Sequence, residues 1–383
     1  MQIKAKLIKY PIFQFSYLIL VLLFSGCQAK MQTDSTVITG NARFNQYLPQ
    51  LKNKRVGLVV NQSSLVGKTH LVDTLLSLGV DLKSIFAPEH GFRGEAADGI
   101  TVADGIDTKT GLPVLSLYGK VKKPTKEHMD KVDVILFDIQ DVGTRFYTYV
   151  STMHWMMEAC AENDVPIIVL DKPNPNGHFV DGPILEMQHQ SIVGMHPIPV
   201  VHGMTLGEMA GMINAEGWLK GEVTCDLQVV KVDGWTHKDS YQLPVRPSPN
   251  LTNYDSVMWY PSLCFFEGTV VSIVRGTDSP FTKNGHPDIK NTTFSFTPVS
   301  RKESLYPKLE GKVCYGIDLS GETPGNRINL KYLIDYYQKL KGGEQPFFKK
   351  YFTRLAGTEK MQEQIENGLS EDDIRKSWQK GLI

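Results

Sequence analysis

Short apolar runs alternate with helical patterns along the chain from about residue 41 onward. Four of these runs predict strands, at 55–60, 83–87, 132–139 and 166–170. Because the runs are continuously apolar, they are typical of parallel strands covered on both faces. Segments 69–78 and 151–162 carry apolar residues at helical spacing and link the strands as βαβ units. The pattern therefore predicts the α/β class, with a Rossmann-like doubly wound parallel sheet.

The pattern changes at about residue 212, where loops rich in Trp, Pro and Asn begin. A chain of this length usually forms more than one domain. We therefore predict a Rossmann-like domain at 41–211 and a smaller α+β domain at 212–383 that closes a cleft over the first. Two helices should end the chain, one at 330–340 and one starting at Ser370.

The N-terminus has the pattern of an exported lipoprotein. Three lysines within the first nine residues precede an apolar run at 10–24 that is too short for a comfortable membrane span. The run ends in the letters FSGC, which resemble a bacterial lipobox ending at Cys27. We expect a lipoprotein signal peptide at 1–26, lipidation of Cys27 and a polar tether at 27–40. An ordinary signal peptide with an incidental cysteine is the alternative.

This N-terminus also predicts a location. The protein should lie in the periplasm, anchored by lipid to a membrane, with the outer membrane preferred. Its work is then done outside the cytoplasm.

Polar side chains gather at the ends of the predicted strands. In open α/β sheets the ligand lies beyond the carboxyl ends of the strands, so these residues are the candidates for a site. They are Asn61 after the first strand, Glu89, His90 and Arg93 after the second, Asp138, Gln140, Asp141 and Arg145 at the third, and Asn174 after the fourth.

Composition and spacing exclude several classes of ligand. The formal net charge is zero and no basic stripe appears, which argues against nucleic acid. Gly67-Lys68-Thr69 lacks the first glycine of a phosphate-binding loop, and the histidines have no zinc spacing, so we expect no nucleotide, no metal and no cofactor. The remaining cysteines are widely spaced and should be buried free thiols, not disulfides: Cys160, Cys225, Cys264 and Cys314.

Glu89 is the candidate general acid. It follows a buried strand at a turn between Pro88 and Gly91, and a carboxyl withdrawn from water there favours its protonated form. A Glu that caps a helix or pairs with Arg93 is the equally weighted alternative. Nearby aromatic rings offer flat faces for a sugar, and two arginines could grip a carboxylate, although each is individually more often a packing or ion-pair residue. These are Phe92, Tyr147, Tyr149, Arg145 and Arg275.

Five longer motifs carry a family resemblance. They are APEHGFRG at 87–94, FDIQDVGTRFYTY at 137–149, LDKPNP at 170–175, YPSLCFFEGT at 260–269 and RGT at 275–277. In this order they resemble the exo-β-N-acetylmuramidases of the NamZ type, and the similarity runs from about residue 41 to the end.

The resemblance implies a Rossmann-like domain without nucleotide, a smaller C-terminal domain and a site in the cleft between them. It implies a glycoside hydrolase that releases N-acetylmuramic acid from non-reducing ends of peptidoglycan fragments, with muropeptides or disaccharides as partners. Glu89 matches the family's proposed catalytic glutamate.

Glycosidases usually need a second carboxylate, and Asp138, Asp141 and Glu267 are the candidates. The substrate's own acetamido oxygen is a further possibility. Arg145 and Arg275 are the hypotheses for reading the lactyl carboxylate of muramic acid. Two other functions stay open: a non-catalytic lipoprotein that binds wall fragments, and a hydrolase for another amino sugar.

Overall fold

A computed structural model of the chain describes residues 36–93 and 103–382. The predicted signal peptide, Cys27 and most of the predicted tether lie outside the described residues. Seven strands form the main sheet: β1 (Val56–Val60), β4 (Leu82–Ala87), β5 (Gly105–Ile106), β6 (Pro113–Ser116), β7 (Val134–Asp138), β8 (Ile167–Leu170) and β9 (Leu227–Val230), with the short hairpin β2 (Leu65–Val66) and β3 (Thr69–His70) following β1.

The strand order is β5-β6-β4-β1-β7-β8-β9, and all neighbours are parallel except β5 and β6. The order runs outward from β1 in both directions, so the sheet is doubly wound as predicted. Alternate side chains of β1 enter different core layers: Leu58 and Val60 lie in one, and Val59 in the other. Apolar layers thus cover both faces, which explains the continuous apolar runs.

Helices pack around this sheet and close the chain. They are α1 (Phe44–Leu51), α2 (Leu71–Ser77), α3 (Lys126–Met129), α4 (Tyr149–Glu162), α5 (Leu206–Ala215), α6 (Tyr254–Leu263), α7 (Lys331–Leu340), α8 (Lys350–Ala356), α9 (Lys360–Glu366) and α10 (Glu371–Leu382). A 3₁₀ helix, Cys264–Gly268, follows α6 directly. Among the described residues, no helix combines the length and apolarity needed to cross a membrane.

The C-terminal part contains a three-stranded antiparallel sheet of β10 (Lys283–His286), β11 (Phe294–Phe296) and β12 (Cys314–Asp318), with β12 in the centre. Its large side chains share one core with the parallel sheet, because Phe265, Phe281 and Phe352 belong to the same buried cluster as Phe137. From Thr36 onward the chain therefore forms one compact unit.

The main sheet continues past the boundary that we predicted at 211/212. That boundary falls inside α5, and β9 completes the sheet only at residues 227–230. A capping box at Thr205 begins α5. The hydroxyl of Thr205 accepts from the backbone N–H of Glu208, and the carboxylate of Glu208 accepts from the backbone N–H of Thr205. The helix–strand unit α5–β9 is thus a further βαβ element of the sheet.

Candidate active site

A cavity of about 370 Å³ lies between the carboxyl ends of the parallel strands and the C-terminal part. Its charged and titratable walls are Glu89, His90, Glu267 and Arg275. Its aromatic walls are Tyr118, Phe146, Tyr147, Tyr149, Tyr260, Phe281 and Tyr351. The cavity thus has polar groups converging among flat apolar faces, the usual form of a small-molecule site.

Glu89 enters the cavity from the turn after β4 and is only 7% exposed. The hydroxyl of Thr148 donates a hydrogen bond of 2.7 Å to its Oε2. Thr148 is the N-cap residue of α4, yet its side chain makes no capping hydrogen bond. The cap hydroxyl serves the carboxylate instead of the helix, which fixes the orientation of Glu89.

Two tyrosines beside Glu89 form one wall of the cavity. The hydroxyl of Tyr147 donates to the carbonyl of Pro247 at 2.8 Å, and that of Tyr149 accepts from Asn61 Nδ2 at 3.0 Å. Burial first, then the nearby charge of Glu89, raises the pKa of Tyr149 above its ordinary value. The two rings meet edge to face at 4.8 Å, so both phenols are rigid, neutral surfaces at neutral pH.

Glu267 and Arg275, which line the same cavity, form an ion pair. Arg275 donates from Nε to Glu267 Oε1 at 2.6 Å, and its guanidinium lies 5.0 Å from the centre of the Phe281 ring. Cys264 lies one helical turn before Glu267, and its thiol is 3.8 Å from Oε2. A carboxylate held in this way favours its ionised form.

The backbone around the cavity is strained at three non-glycine residues. His90 has φ 69°, Val274 has φ 64° and Phe281 has φ 61°. Left-handed backbone is costly for bulky residues and particularly for β-branched valine, which immediately precedes Arg275. Such strain persists only where packing fixes the conformation, so these residues are held in place by the surrounding fold.

Six of the residues predicted for the site line the cavity: Glu89, His90, Tyr147, Tyr149, Glu267 and Arg275. The prediction of Asp138 as a second catalytic carboxylate is not supported by its position. Asp138 is fully buried outside the cavity lining, where its Oδ1 lies 3.0 Å from Lys172 Nζ and its Oδ2 accepts from Asn41. A carboxylate satisfied by a buried lysine holds the strand ends together and does not face a substrate.

Asp141, Gln140, Asn174 and Asn61 also lie behind the cavity wall. Asp141 accepts from the N–H of Gly143 at 2.7 Å, Gln140 donates to the carbonyl of Pro173 at 2.8 Å, and Asn174 donates to that of Met204 at 2.9 Å. Asn61 reaches the site only through Tyr149. These side chains brace the loops that carry the site, because unpaired backbone groups buried there would be costly.

The hypothesis that Arg145 reads a substrate carboxylate is wrong. Its guanidinium is 2% exposed and donates to four carbonyls, those of Pro183, Ile198, Leu355 and Ala356. Burial lowers its pKa to about 9, so it stays charged at neutral pH. Arg145 therefore joins the parallel sheet to the end of α8.

Arg93 and Phe92 are directed away from the cavity as well. Arg93 donates to Asp107 at 2.7 Å and lies over the Phe92 ring at 4.2 Å. Phe92 is buried edge to face against His70. Both residues stabilise the region around the β2–β3 hairpin, so their predicted contact with a sugar is not supported.

Several lining residues were not among the predicted site residues. Thr148, Tyr260 and Cys264 lie inside the quoted motifs, and Asn250 lies in a Pro- and Asn-rich loop, so their neighbours in sequence were the available signal. Four cysteines are buried and none of them forms a disulfide: Cys160, Cys225, Cys264 and Cys314. Within the described residues, no cluster of three His, Cys, Asp or Glu side chains is placed to hold a metal.

Fold and site together define an α/β protein with a carboxylate-bearing, aromatic-walled cleft, and solved structures share the fold. A crystal structure of a DUF1343 family protein from Bacteroides fragilis NCTC 9343 is 46% identical, with a TM-score of 0.84 over 91% of this chain and 95% of that one. A second DUF1343 protein from this organism is 29% identical, with a TM-score of 0.79 over 91% and 96%.

Sequence comparison identifies the family. The family model of the N-terminal part of exo-beta-N-acetylmuramidase NamZ matches residues 56–255. The model of its C-terminal part matches residues 258–383. Peptidoglycan beta-N-acetylmuramidase NamZ of Bacillus subtilis (strain 168) is 41% identical over 366 residues, 88% of this chain and 86% of that protein. The chain belongs to the exo-beta-N-acetylmuramidase NamZ family.

Proposed function

We propose that the chain is an exo-acting glycoside hydrolase that releases N-acetylmuramic acid from non-reducing ends of peptidoglycan fragments. One observation carries the proposal: Glu89 and the Glu267–Arg275 ion pair line the same aromatic-walled cavity in a chain of the NamZ family. The volume of about 370 Å³ is at the small end for ligand sites, which suits one terminal sugar better than a length of glycan.

Glu89 is the general acid in this proposal. Its neighbours in the cavity include His90, two phenols and the hydroxyl of Thr148. Thr148 holds one carboxyl oxygen so that the other can face the leaving-group oxygen. An acid so placed protonates the glycosidic oxygen as the bond breaks.

Glu267 is the second carboxylate. Arg275 keeps it ionised, as is required of a group that stabilises positive charge at the anomeric carbon, activates water or orients the acetamido oxygen. Arg275 lies at the same end of the cavity, and its planar guanidinium matches the geometry of a lactyl carboxylate. We assign the recognition of muramic acid to it.

The test uses a chromogenic glycoside of N-acetylmuramic acid and the matching N-acetylglucosamine glycoside. The chain should release the chromophore from the first far faster than from the second, and should release N-acetylmuramic acid from a disaccharide with glucosamine at the reducing end. Binding of the disaccharide without any cleavage would refute the proposal in favour of a binding protein. Preference for a different amino sugar in the panel would refute the substrate assignment.

We also propose that Cys27 is lipidated and holds the enzyme in the periplasm, on the outer membrane. The apolar run at 10–24 and the small residues before Cys27 support this. In cells, Cys27→Ala should release the protein from the membrane fraction and remove its labelling by palmitate. Membrane retention of the unlabelled variant would contradict the anchor and leave the catalytic proposal untouched.

A further inference from the structure

The ammonium group of Lys308 binds four backbone carbonyls at once. Nζ lies 2.9 Å from the carbonyl oxygen of Phe266, 3.3 Å from that of Glu267, 2.6 Å from that of Thr269 and 3.0 Å from that of Val271. An ammonium has three N–H groups, so the four oxygens share its charge and its hydrogens. The charged end of Lys308 therefore holds one short backbone segment together through its carbonyl groups, as a bound metal cation would.

The carbonyls that Lys308 binds lie at the end of the 3₁₀ helix and just beyond it, and that of Phe266 also accepts from the N–H of Thr269 at 3.0 Å and from its hydroxyl at 2.9 Å. The 3₁₀ helix ends at Gly268, and the chain then continues as irregular backbone outside the named strands. The carbonyl of Gly268 accepts from the N–H of Lys349 at 2.8 Å, while its neighbours on both sides turn to Lys308. Carbonyls withdrawn from water need partners, and Lys308 supplies them where no strand does.

The same segment carries the polar groups of the site. Glu267 lies within it, and Arg275 follows Val271 by four residues. A second cavity of about 220 Å³ is lined by Lys308 together with Glu267 and Arg275, which also line the catalytic cavity. The ammonium thus lies close to the ion pair, on the side of the second cavity.

We propose that Lys308 is a positioning residue that fixes the segment 266–275, and with it Glu267 and Arg275, for catalysis. The inference rests on the proposed hydrolase function. Lys308 acts through backbone carbonyls and touches no substrate. A displacement of about 1 Å in a catalytic group costs roughly 100-fold in rate, so loosening this segment should act mainly on kcat.

The charge of Lys308 gives the arrangement a pH dependence. Burial lowers the pKa of Lys308 to about 8, the charge of Glu267 opposes this shift, and the charges of Arg275 and Lys349 add to it. His286 also lies within electrostatic reach: burial lowers its pKa first, and the charges of Lys312 and Lys308 lower it further. Above this pKa a neutral amine has two N–H groups for four carbonyls, so kcat should fall as pH rises through it.

The experiment compares kcat and KM on the chromogenic muramic acid glycoside for Lys308→Met, Lys308→Arg and the control Lys312→Met, which removes an exposed lysine from the same part of the chain. Lys308→Met should lower kcat roughly 100-fold with KM changed less than about threefold. Lys312→Met should match the parent protein. Lys308→Arg keeps the charge, so it should retain most of kcat and move the alkaline limb of kcat to higher pH.

Chemical rescue makes the test independent of folding differences. Lys308→Ala lacks the atoms of n-propylammonium, and adding n-propylammonium chloride should restore kcat at least tenfold, whereas equal sodium chloride should not. Parental kcat in folded Lys308→Met overturns the proposal. If Lys308→Met does not fold, the proposal is overturned when the fall of kcat at high pH occurs at the same pH in Lys308→Arg as in the parent protein. A parent protein that is inactive on the glycoside refutes the hydrolase function instead, so the two failures are distinguishable.

Discussion

Thr148 donates its hydroxyl hydrogen to Oε2 of Glu89 at 2.7 Å, which links the residue before α4 to the turn after β4. The N-cap position would normally use this hydroxyl for the helix itself. Because the helix does without it, the contact serves the orientation of the carboxylate.

Glu89→Gln should lower kcat roughly 100- to 10,000-fold without loss of fold, because the amide cannot donate a proton to the leaving group. Thr148→Val should lower kcat about tenfold, which is the upper value for one uncharged hydrogen bond. Initial rates on the muramic acid glycoside and a melting curve measure both effects. Thr152→Val, one helical turn on, is the matched control, since that hydroxyl donates to the carbonyl of Thr148. Full activity of Glu89→Gln contradicts the assignment.

Arg275→Ala should lower kcat/KM for the muramic acid glycoside roughly 10- to 100-fold more than for the glucosamine glycoside, because only the former carries a carboxylate. Glu267→Gln should instead affect both substrates alike. Arg301→Ala removes a guanidinium that pairs with Asp278 on the surface, and it should leave kcat/KM unchanged for both glycosides. If Arg275→Ala lowered kcat/KM equally for the two glycosides, Arg275 would not recognise the lactyl carboxylate.

Arg145→Met should destabilise the fold by about 3 kcal/mol or more, because it leaves buried carbonyls without a donor. Urea unfolding measures this difference. Arg354→Met in α8 is the control: its side chain is exposed, and the change should stay within about 0.5 kcal/mol. Unchanged stability in Arg145→Met would show that the four carbonyls find other partners.

The buried carboxyl of Asp171 should make the free energy of unfolding depend on pH. Burial raises the pKa of this carboxyl to about 6, against hydrogen bonds from Gly207, Thr205 and Lys172 that lower it. Since the folded value lies above the unfolded one, its stabilising contribution is complete below the unfolded pKa of 3.8 and is lost as pH rises through about 6.

The measurement is the free energy of unfolding of the parent protein minus that of Asp171→Asn, taken in urea at several pH values. The whole shift is worth about 3 kcal/mol at 1.36 kcal/mol for each unit of pKa, and part of it is already lost at pH 4. The difference should therefore fall by about 2.4 kcal/mol between pH 4 and pH 7. Taking the difference removes the contribution of all other titrating groups. A difference that stays level across this range contradicts the prediction.

The four predicted strands match β1, β4, β7 and β8 to within two residues, because continuous apolarity is a local property. The pattern did not reveal β9, which is largely half-buried at the sheet edge and lies among loops rich in polar residues. This strand is defined by pairing with β8, a contact of residues about 60 positions apart. The predicted boundary at 211/212 precedes β9 for that reason, whereas the two family models meet between 255 and 258.

Local sequence is enough to predict the four central strands, β4, β1, β7 and β8, and the position of Glu89 after one of them, because strand runs and the turn after each run are encoded within a few residues. Tertiary structure decided which polar residues face the cavity. Asp138 and Arg145 carry the same functional groups as Glu267 and Arg275, but the partners of Arg145 lie 38 to 211 positions away. Burial and the position of the partners decide whether a charged side chain faces a substrate or is paired inside the protein. Only the folded chain therefore distinguishes Asp138 and Arg145 from Glu267 and Arg275.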